Sequence, residues 1–162
     1  MACNNDDRPE REKMHRSVPV LTACLAFGPV LATSTHAQVV ASGHRDILLQ
    51  ATHSWNGSAY EKYPTTQPEL MMIRLTIPAH TALPWHTHPV PNAGYVLQGQ
   101  LTIHDRDSGK TETFHQGEAF AESVNDIHRG ESGDTQTVVL LTYALTPGTQ
   151  PSIPAKGEKP EY

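Results

Sequence analysis

Turn-forming residues interrupt this chain at short intervals, and that punctuation constrains its fold more than any other feature. Asn56-Gly57, Tyr63-Pro64, Gln67-Pro68, Pro78, Gly99, Asp107-Ser108-Gly109, Gln116-Gly117-Glu118, Ser123 to Asp126 and Gly130 to Asp134 divide it into short apolar pieces. None of these pieces is long enough for an amphipathic helix. Thirteen prolines and eleven glycines belong in turns, since both are costly inside helices. The pieces read as strands: Arg45 to Gln50, Glu69 to Ile77, Gly94 to His104 with a break at Gly99, Thr111 to His115, Ala119 to Glu122, Ile127 to Arg129 and Thr135 to Leu145. Seven to nine short strands with close turns predict an all-β sandwich or barrel. In Glu69 to Ile77 the apolar residues alternate imperfectly, as expected where both faces are covered. Tyr95, Leu97, Leu101 and Ile103 share one face only if a bulge or turn at Gln98-Gly99-Gln100 preserves register.

The ends read differently. Arg11, Lys13 and Arg16 precede an apolar run from Val18 to Val30, and Thr35-His36-Ala37 supplies the small residues of a cleavage site. Residues 1–37 are therefore expected to be a secretory signal peptide cleaved before Gln38, with Met14 as a second candidate start. Leu21-Thr22-Ala23-Cys24 offers a rival, a lipid-bearing Cys24, against which the apolar run continuing past Cys24 argues. A retained membrane span is not expected, because the run falls short of the roughly 20 residues needed. Both cysteines, Cys3 and Cys24, lie in this leader, so any metal in the mature chain must be held by nitrogen and oxygen. Residues 1–37 carry Arg8, Arg11, Lys13 and Arg16 against Asp6, Asp7, Glu10 and Glu12, so their removal leaves the net charge at −5. With no basic cluster, nucleic acid is not an expected partner. Residues 147–162, spaced by Pro147, Pro151, Pro154 and Pro160, read as an extended or disordered tail.

Trp85-His86-Thr87-His88 is the stretch that points to chemistry. In an extended strand His86 and His88 aim at one face and Thr87 at the other, which makes a clamp for a divalent cation. Pro84, Pro89 and Pro91 around the pair suggest a stiff edge or barrel-mouth segment, not a central strand. With ten histidines in 162 residues, an accidental pair is the competing reading.

From about Leu70 to Leu145 the chain resembles the cupin superfamily. The family's first motif is H-x-H, three or four residues, Glu, six residues and Gly. Here His86-Thr87-His88 is followed at those spacings by Asn92 and Gly99, so Asn stands in place of the acid. His80 occupies the position of a usual glycine six residues before the first histidine. In the second motif Gly117 and His128 keep their spacing, while Ser123, Asn125 and Ser132 replace Pro, Gly and Asn. Asn125 is tolerable there because Asn enters the left-handed region readily.

The resemblance implies a single-domain cupin jelly-roll β-barrel over residues 38–146, with His128 brought beside His86 and His88. Those three histidines would hold a divalent transition metal (Fe, Mn, Ni, Cu or Zn), a pattern suited to imidazole-loving ions. Asn92 would offer a weak carbonyl ligand or bond a metal-bound water. Three neutral imidazoles would leave the full +2 charge, favouring a small, anionic ligand. Glu122 is the alternative carboxylate, as ligand, general base or surface acid. Trp85, Tyr95 and Trp55 are expected walls of a substrate pocket, though each is also a good core filler. His104 and His115 could face each other across a hairpin, and His53 and His80 could cover the mouth. The implied protein is an exported, periplasmic or secreted enzyme of dioxygenase type, paired as a homodimer through Ala41 to Leu49. The alternative is a non-catalytic module that binds a metal or a small anion.

Overall fold

The computed structural model describes residues 43–162. The expected leader at 1–37 and the Cys24 alternative lie outside them. Nine strands follow one another without a helix among the described residues: β1 (Glu69–Ile77), β2 (His86–Thr87), β3 (Asn92–Gln98), β4 (Gln100–Asp105), β5 (Thr111–His115), β6 (Ala119–Ala121), β7 (His128–Ser132), β8 (Thr137–Leu145) and β9 (Ile153–Pro154). They form two sheets, ordered β1-β8-β3-β6 and β5-β4-β7-β2-β9, with antiparallel neighbours throughout. The chain is all-β, as the turn spacing predicts.

Alternation along the strands fills the space between the sheets. In β8 Thr137, Val139, Leu141, Tyr143 and Leu145 are buried. The four apolar residues among them pack with Ile77, Val96, Leu101, Ile103 and Phe120 into one core, against which Met71, Ile73, Leu75, Leu83 and Phe114 rest. Fully burying side chains of this size contributes about 1.5–3 kcal/mol each before the chain's ordering entropy is counted.

Gly99 is where the chain changes sheets. It has φ 75°, and a bulge between Val96 and Gln98 shifts the register of β3 on β8 just before it. Leu101 and Ile103 then face the core in β4. Tyr95 and Leu97 do not share that face: Asn92, Gly94 and Val96 take the buried positions of β3. The reason lies in Phe120, whose ring would stand 2.1 Å from a Cβ at position 94, so only glycine can point inward there. That choice of parity turns Tyr95 outward.

Three further expectations need correction. Residues 45–50 form no strand, and Ile47 and Leu48 are more than 60% exposed, because no described strand lies beside them. β1 is not covered on both faces: it is the edge of its sheet, with Leu70 87% and Met72 69% exposed. β2 is an inner strand, because β9 from the tail pairs along the side opposite β7. Two turns carry strained positions that the motif spacing marked. Asn125 has φ 65° and His80 φ 53°, so both replacements adopt the glycine conformation.

Gly99 and Gly117 both have positive φ, but only Gly99 is crowded: a Cβ there would meet the Gln136 carbonyl oxygen at 2.6 Å, whereas at Gly117 it would meet nothing within 4 Å. Gly117→Ala is expected to lose only the left-handed backbone term, about 1–2 kcal/mol. Gly99→Ala should lose about 1–3 kcal/mol more from overpacking. Thermal melts of the two variants check this, and equal losses would contradict it.

Candidate metal centre

β2 and β7 lie side by side with His86 directly opposite His128. Strand alternation turns His86 and His88 to the same interior face. Their ring centroids lie 4.9 Å apart, and His128 lies 4.6 Å from His86 and 4.9 Å from His88. One nitrogen from each ring falls within 4.8 Å of the others, and all three side chains are buried.

Main-chain carbonyls decide which nitrogens face inward. His86 Nδ1 donates to Pro84 O at 2.9 Å, His128 Nδ1 to Asp126 O at 2.8 Å and His88 Nδ1 to Pro151 O at 2.7 Å. A carbonyl can only accept, so each Nδ1 carries the proton and each Nε2 presents its lone pair to the centre. Nε2 of His88 and of His128 has no hydrogen-bond partner although buried. Unpaired buried acceptors converging at this spacing fit a transition ion, which would satisfy all three.

Asp126 is itself held. Its carboxylate accepts from Asn56 Nδ2 at 2.9 Å and from Ser58 Oγ at 2.6 Å, and Asn56 also bonds Asp105 at 2.7 Å. The Asn56-Gly57 turn, with Gly57 at φ 99°, thus fixes the carbonyl that orients His128.

Two carboxylates lie beside the imidazoles. Glu122, just after β6, places Oε2 3.4 Å from His128 Nε2 and Oε1 3.9 Å from His88 Nε2. Glu161 places Oε2 3.3 Å from His86 Nε2, with its side chain only 3% exposed. Glu122, the alternative carboxylate expected from the sequence, thus lies beside His88 and His128, and Glu161, which was not expected, lies beside His86. Asn92 keeps a local part. Its main-chain oxygen accepts from the Glu122 amide at 3.1 Å, while its buried side-chain amide has no partner.

The environment sorts the charges. Burial, and then the neighbouring His88 and His128, lower His86 from 6.5 to about 3. Burial lowers His88 to about 4 against the pull of Glu122. Burial alone would raise Glu122, but His128, 3.4 Å away, and the charges of the other two imidazoles together hold it down at about 2. His128 is raised, because burial is outweighed by Glu122. Burial raises Glu161 from 4.5 to about 7. At neutral pH His86 and His88 are neutral ligands and Glu122 is ionised.

The expected pocket walls lie elsewhere. Trp85, one residue from His86, has its ring under the Arg129 guanidinium at 4.6 Å, on the other side of the sheet from the histidines. Tyr95 is on the face of β3 opposite Asn92. Trp55 closes the core, with its amide donating to Ala121 O. His104 sits across from Thr111 and His115 from Gln100, so these two do not face each other. His104 lies 3.3 Å from Glu131, and His80 lies 3.7 Å from Asp134. His53 is exposed beside Thr52. Tyr143, whose ring is 5.6 Å from His88, is the aromatic group nearest the cluster that the sequence did not single out. The sequence presents it only as part of the strand from Thr135 to Leu145. Glu161 had no local signal at all, since its burial depends on the tail folding back.

The family model described as Cupin domain matches residues 73–143. No curated protein matches the sequence. Similar solved structures include the DMSP lyase DddQ from Ruegeria pomeroyi, at 17% identity over 50% of this chain and 41% of that one, with a TM-score of 0.45. The polyketide cyclase RemF from Streptomyces resistomycificus is 21% identical over 56% and 62% of the two chains, TM-score 0.46. A cupin 2 conserved barrel domain protein from Leptotrichia buccalis is 23% identical over 52% and 39%, TM-score 0.44. The matched part spans less than two thirds of each of these proteins.

The protonation pattern carries a sign. Between pH 6.5 and 4.5 the unfolded chain protonates the two histidines that the metal-free fold keeps neutral, so stability falls with pH. Glu161 opposes this, because the fold holds its proton up to about pH 7, and His128, raised beside Glu122, opposes it too until the unfolded imidazole is itself protonated below about pH 6. Two lowered imidazoles outweigh one raised carboxyl. Below pH 4.5 Glu161 no longer offsets them and Glu122 adds to the loss. The metal-free melting temperature is expected to fall from pH 6.5 to 4.5 and more steeply below, and Glu161→Gln should steepen the first part. A melting temperature that rises on acidification would contradict the assignment.

Proposed function

Because residues 73–143 are a cupin domain, we propose that this protein is a metal-dependent enzyme acting on a small molecule. His86, His88 and His128 would hold the ion and Glu122 would be its carboxylate. The observation that carries the reading is the convergence of three imidazoles, each with Nδ1 donating to a carbonyl, on one buried point. A divalent transition ion bound there would supply Lewis acidity and, if redox-active, one-electron chemistry with dioxygen. Dioxygenation is the reaction class we assign. The chain's own part is to orient the ligands, keep the centre dry and supply a carboxylate held ionised beside His128. A second reading, a non-catalytic metal-binding module, draws support from the burial of the whole cluster.

Metal content and oxygen uptake separate these readings. The purified chain is expected to carry a stoichiometric transition metal, with His86→Ala and His128→Ala losing it. Metal at one hundred times its dissociation constant should stabilise the wild type by about 2.7 kcal/mol and the variants by far less. Equal, negligible metal in all three would end the proposal. Fe(II)-loaded protein should consume oxygen with some member of a panel of dicarbonyls, thiols and phenols, and no uptake with any would favour the binding module.

We further propose export through residues 1–37, supported by the basic and apolar pattern of that segment. Pairing of two copies is supported by the exposed apolar residues Ile47, Leu48, Leu70 and Met72. Protein recovered from the periplasm is expected to begin at Gln38 and to scatter light as a dimer. An uncut chain or a monomer would contradict the respective proposal.

A further inference from the structure

The centre is closed by the chain's own tail, and the closure is built unevenly. Pro151 O accepts the His88 Nδ1 proton, Ile153–Pro154 pair with β2 as β9, and the Ala155 amide donates to Trp85 O at 2.8 Å. Up to Ala155 the tail is therefore part of the sheet. Beyond it the chain turns at Gly157, with φ 86° and Glu158 N donating to Ala155 O, and residues 156–160 are exposed. Then Glu161 turns inward alone. Its carboxyl enters the buried centre beside His86, while Tyr162 reaches Tyr143 through a long hydroxyl contact of 3.4 Å.

The two carboxylates of the centre are thus held in different ways. Glu122 is fixed by main chain: its amide donates to Asn92 O, and its carbonyl accepts from Tyr60 Oη at 2.5 Å. Glu161 instead follows an exposed segment, residues 156–160; Oε2 of both carboxylates is buried without a hydrogen-bond partner. A carboxylate aimed at the imidazole cluster from an exposed segment occupies the place an external ligand would need. Burial of all three histidines also means that no ligand reaches them unless something moves.

We propose that residues 156–162 form a strap over the metal centre and that the Glu161 carboxyl fills the position taken by the carboxylate of a small-molecule ligand. The inference rests on the metal reading above and adds to it a ligand class, a small carboxylate, and a means of entry, displacement of the strap. Glu122 remains in place in both states. The closed strap lowers the apparent affinity for an external carboxylate by the fraction of time it is open. It also retards loss of the ion.

Full-length chain loaded with Co(II) reports both effects, through the visible spectrum of the ion and its rate of extraction by EDTA. Acetate is the carboxylate probe and acetamide, similar in size and uncharged, is the control. Glu161→Ala is expected to change the spectrum, to bind acetate roughly tenfold tighter than wild type and to regain the wild-type spectrum with acetate but not acetamide. Glu161→Gln and Ala155→Pro, which removes the donor to Trp85 O, should release Co(II) to EDTA roughly tenfold faster than wild type. These two variants decide the matter if Glu161→Ala fails to fold. Bound Co(II) with identical spectra, acetate affinities and extraction rates in wild type and variants would overturn the strap and leave the metal reading standing. A wild-type chain that binds no Co(II) would overturn both.

Discussion

Three hydrogen bonds from imidazole Nδ1 to main-chain carbonyls are the constraint on which the centre depends. Two of them are local and alike: His86 donates to Pro84 O and His128 to Asp126 O, each two residues back. The third is long-range, from His88 to Pro151 O. Each bond fixes a tautomer and a ring plane, and the three together direct Nε2 lone pairs to one place. Without the carbonyls the same rings could rotate, satisfy themselves with other partners and cease to be a ligand set. The pairing of β2 with β7 brings His86 and His128 opposite each other, and the tail supplies the last carbonyl. The centre therefore depends on residues far apart in the chain.

Charge follows from this arrangement. Three neutral imidazoles would leave a divalent ion its full charge in a buried site, where an uncompensated charge is unfavourable. Glu122 and Glu161 lie beside the imidazoles, where Asn92 offers no charge. Glu122 lies next to the imidazoles and is stabilised as an anion, while Glu161 is burdened by burial and sits near neutrality at about 7. Two carboxyls at one centre thus differ in ionisation because their surroundings differ.

Much of this was legible in the sequence, and the limits have physical causes. Turn spacing gave the all-β class, and Glu69 to Ile77 and Thr111 to His115 coincide with β1 and β5. H-x-H with a third histidine at motif spacing located the cluster, since strand alternation needs only local sequence. Glycine positions were readable even where other residues stood in them, as the positive φ of His80 and Asn125 shows. The parity of β3 was not readable, because it is fixed by Phe120 pressing on Gly94, a contact between strands. Glu161 was invisible for the same reason: nothing near it in sequence marks a residue that is buried only once the tail has folded back. Trp85 invited a pocket reading by its place beside His86, yet the alternation that joins His86 to His88 turns Trp85 to the other face.

The central claim is that Nε2 of His86, His88 and His128, with every Nδ1 protonated, forms one ligand set. Nuclear magnetic resonance of the cadmium-loaded protein with isotope-labelled histidine nitrogens tests it directly. The account predicts metal coupling to the Nε2 atoms of these three residues and of no other histidine, with a proton retained on each Nδ1. Coupling to fewer than three, or to any Nδ1, would contradict it.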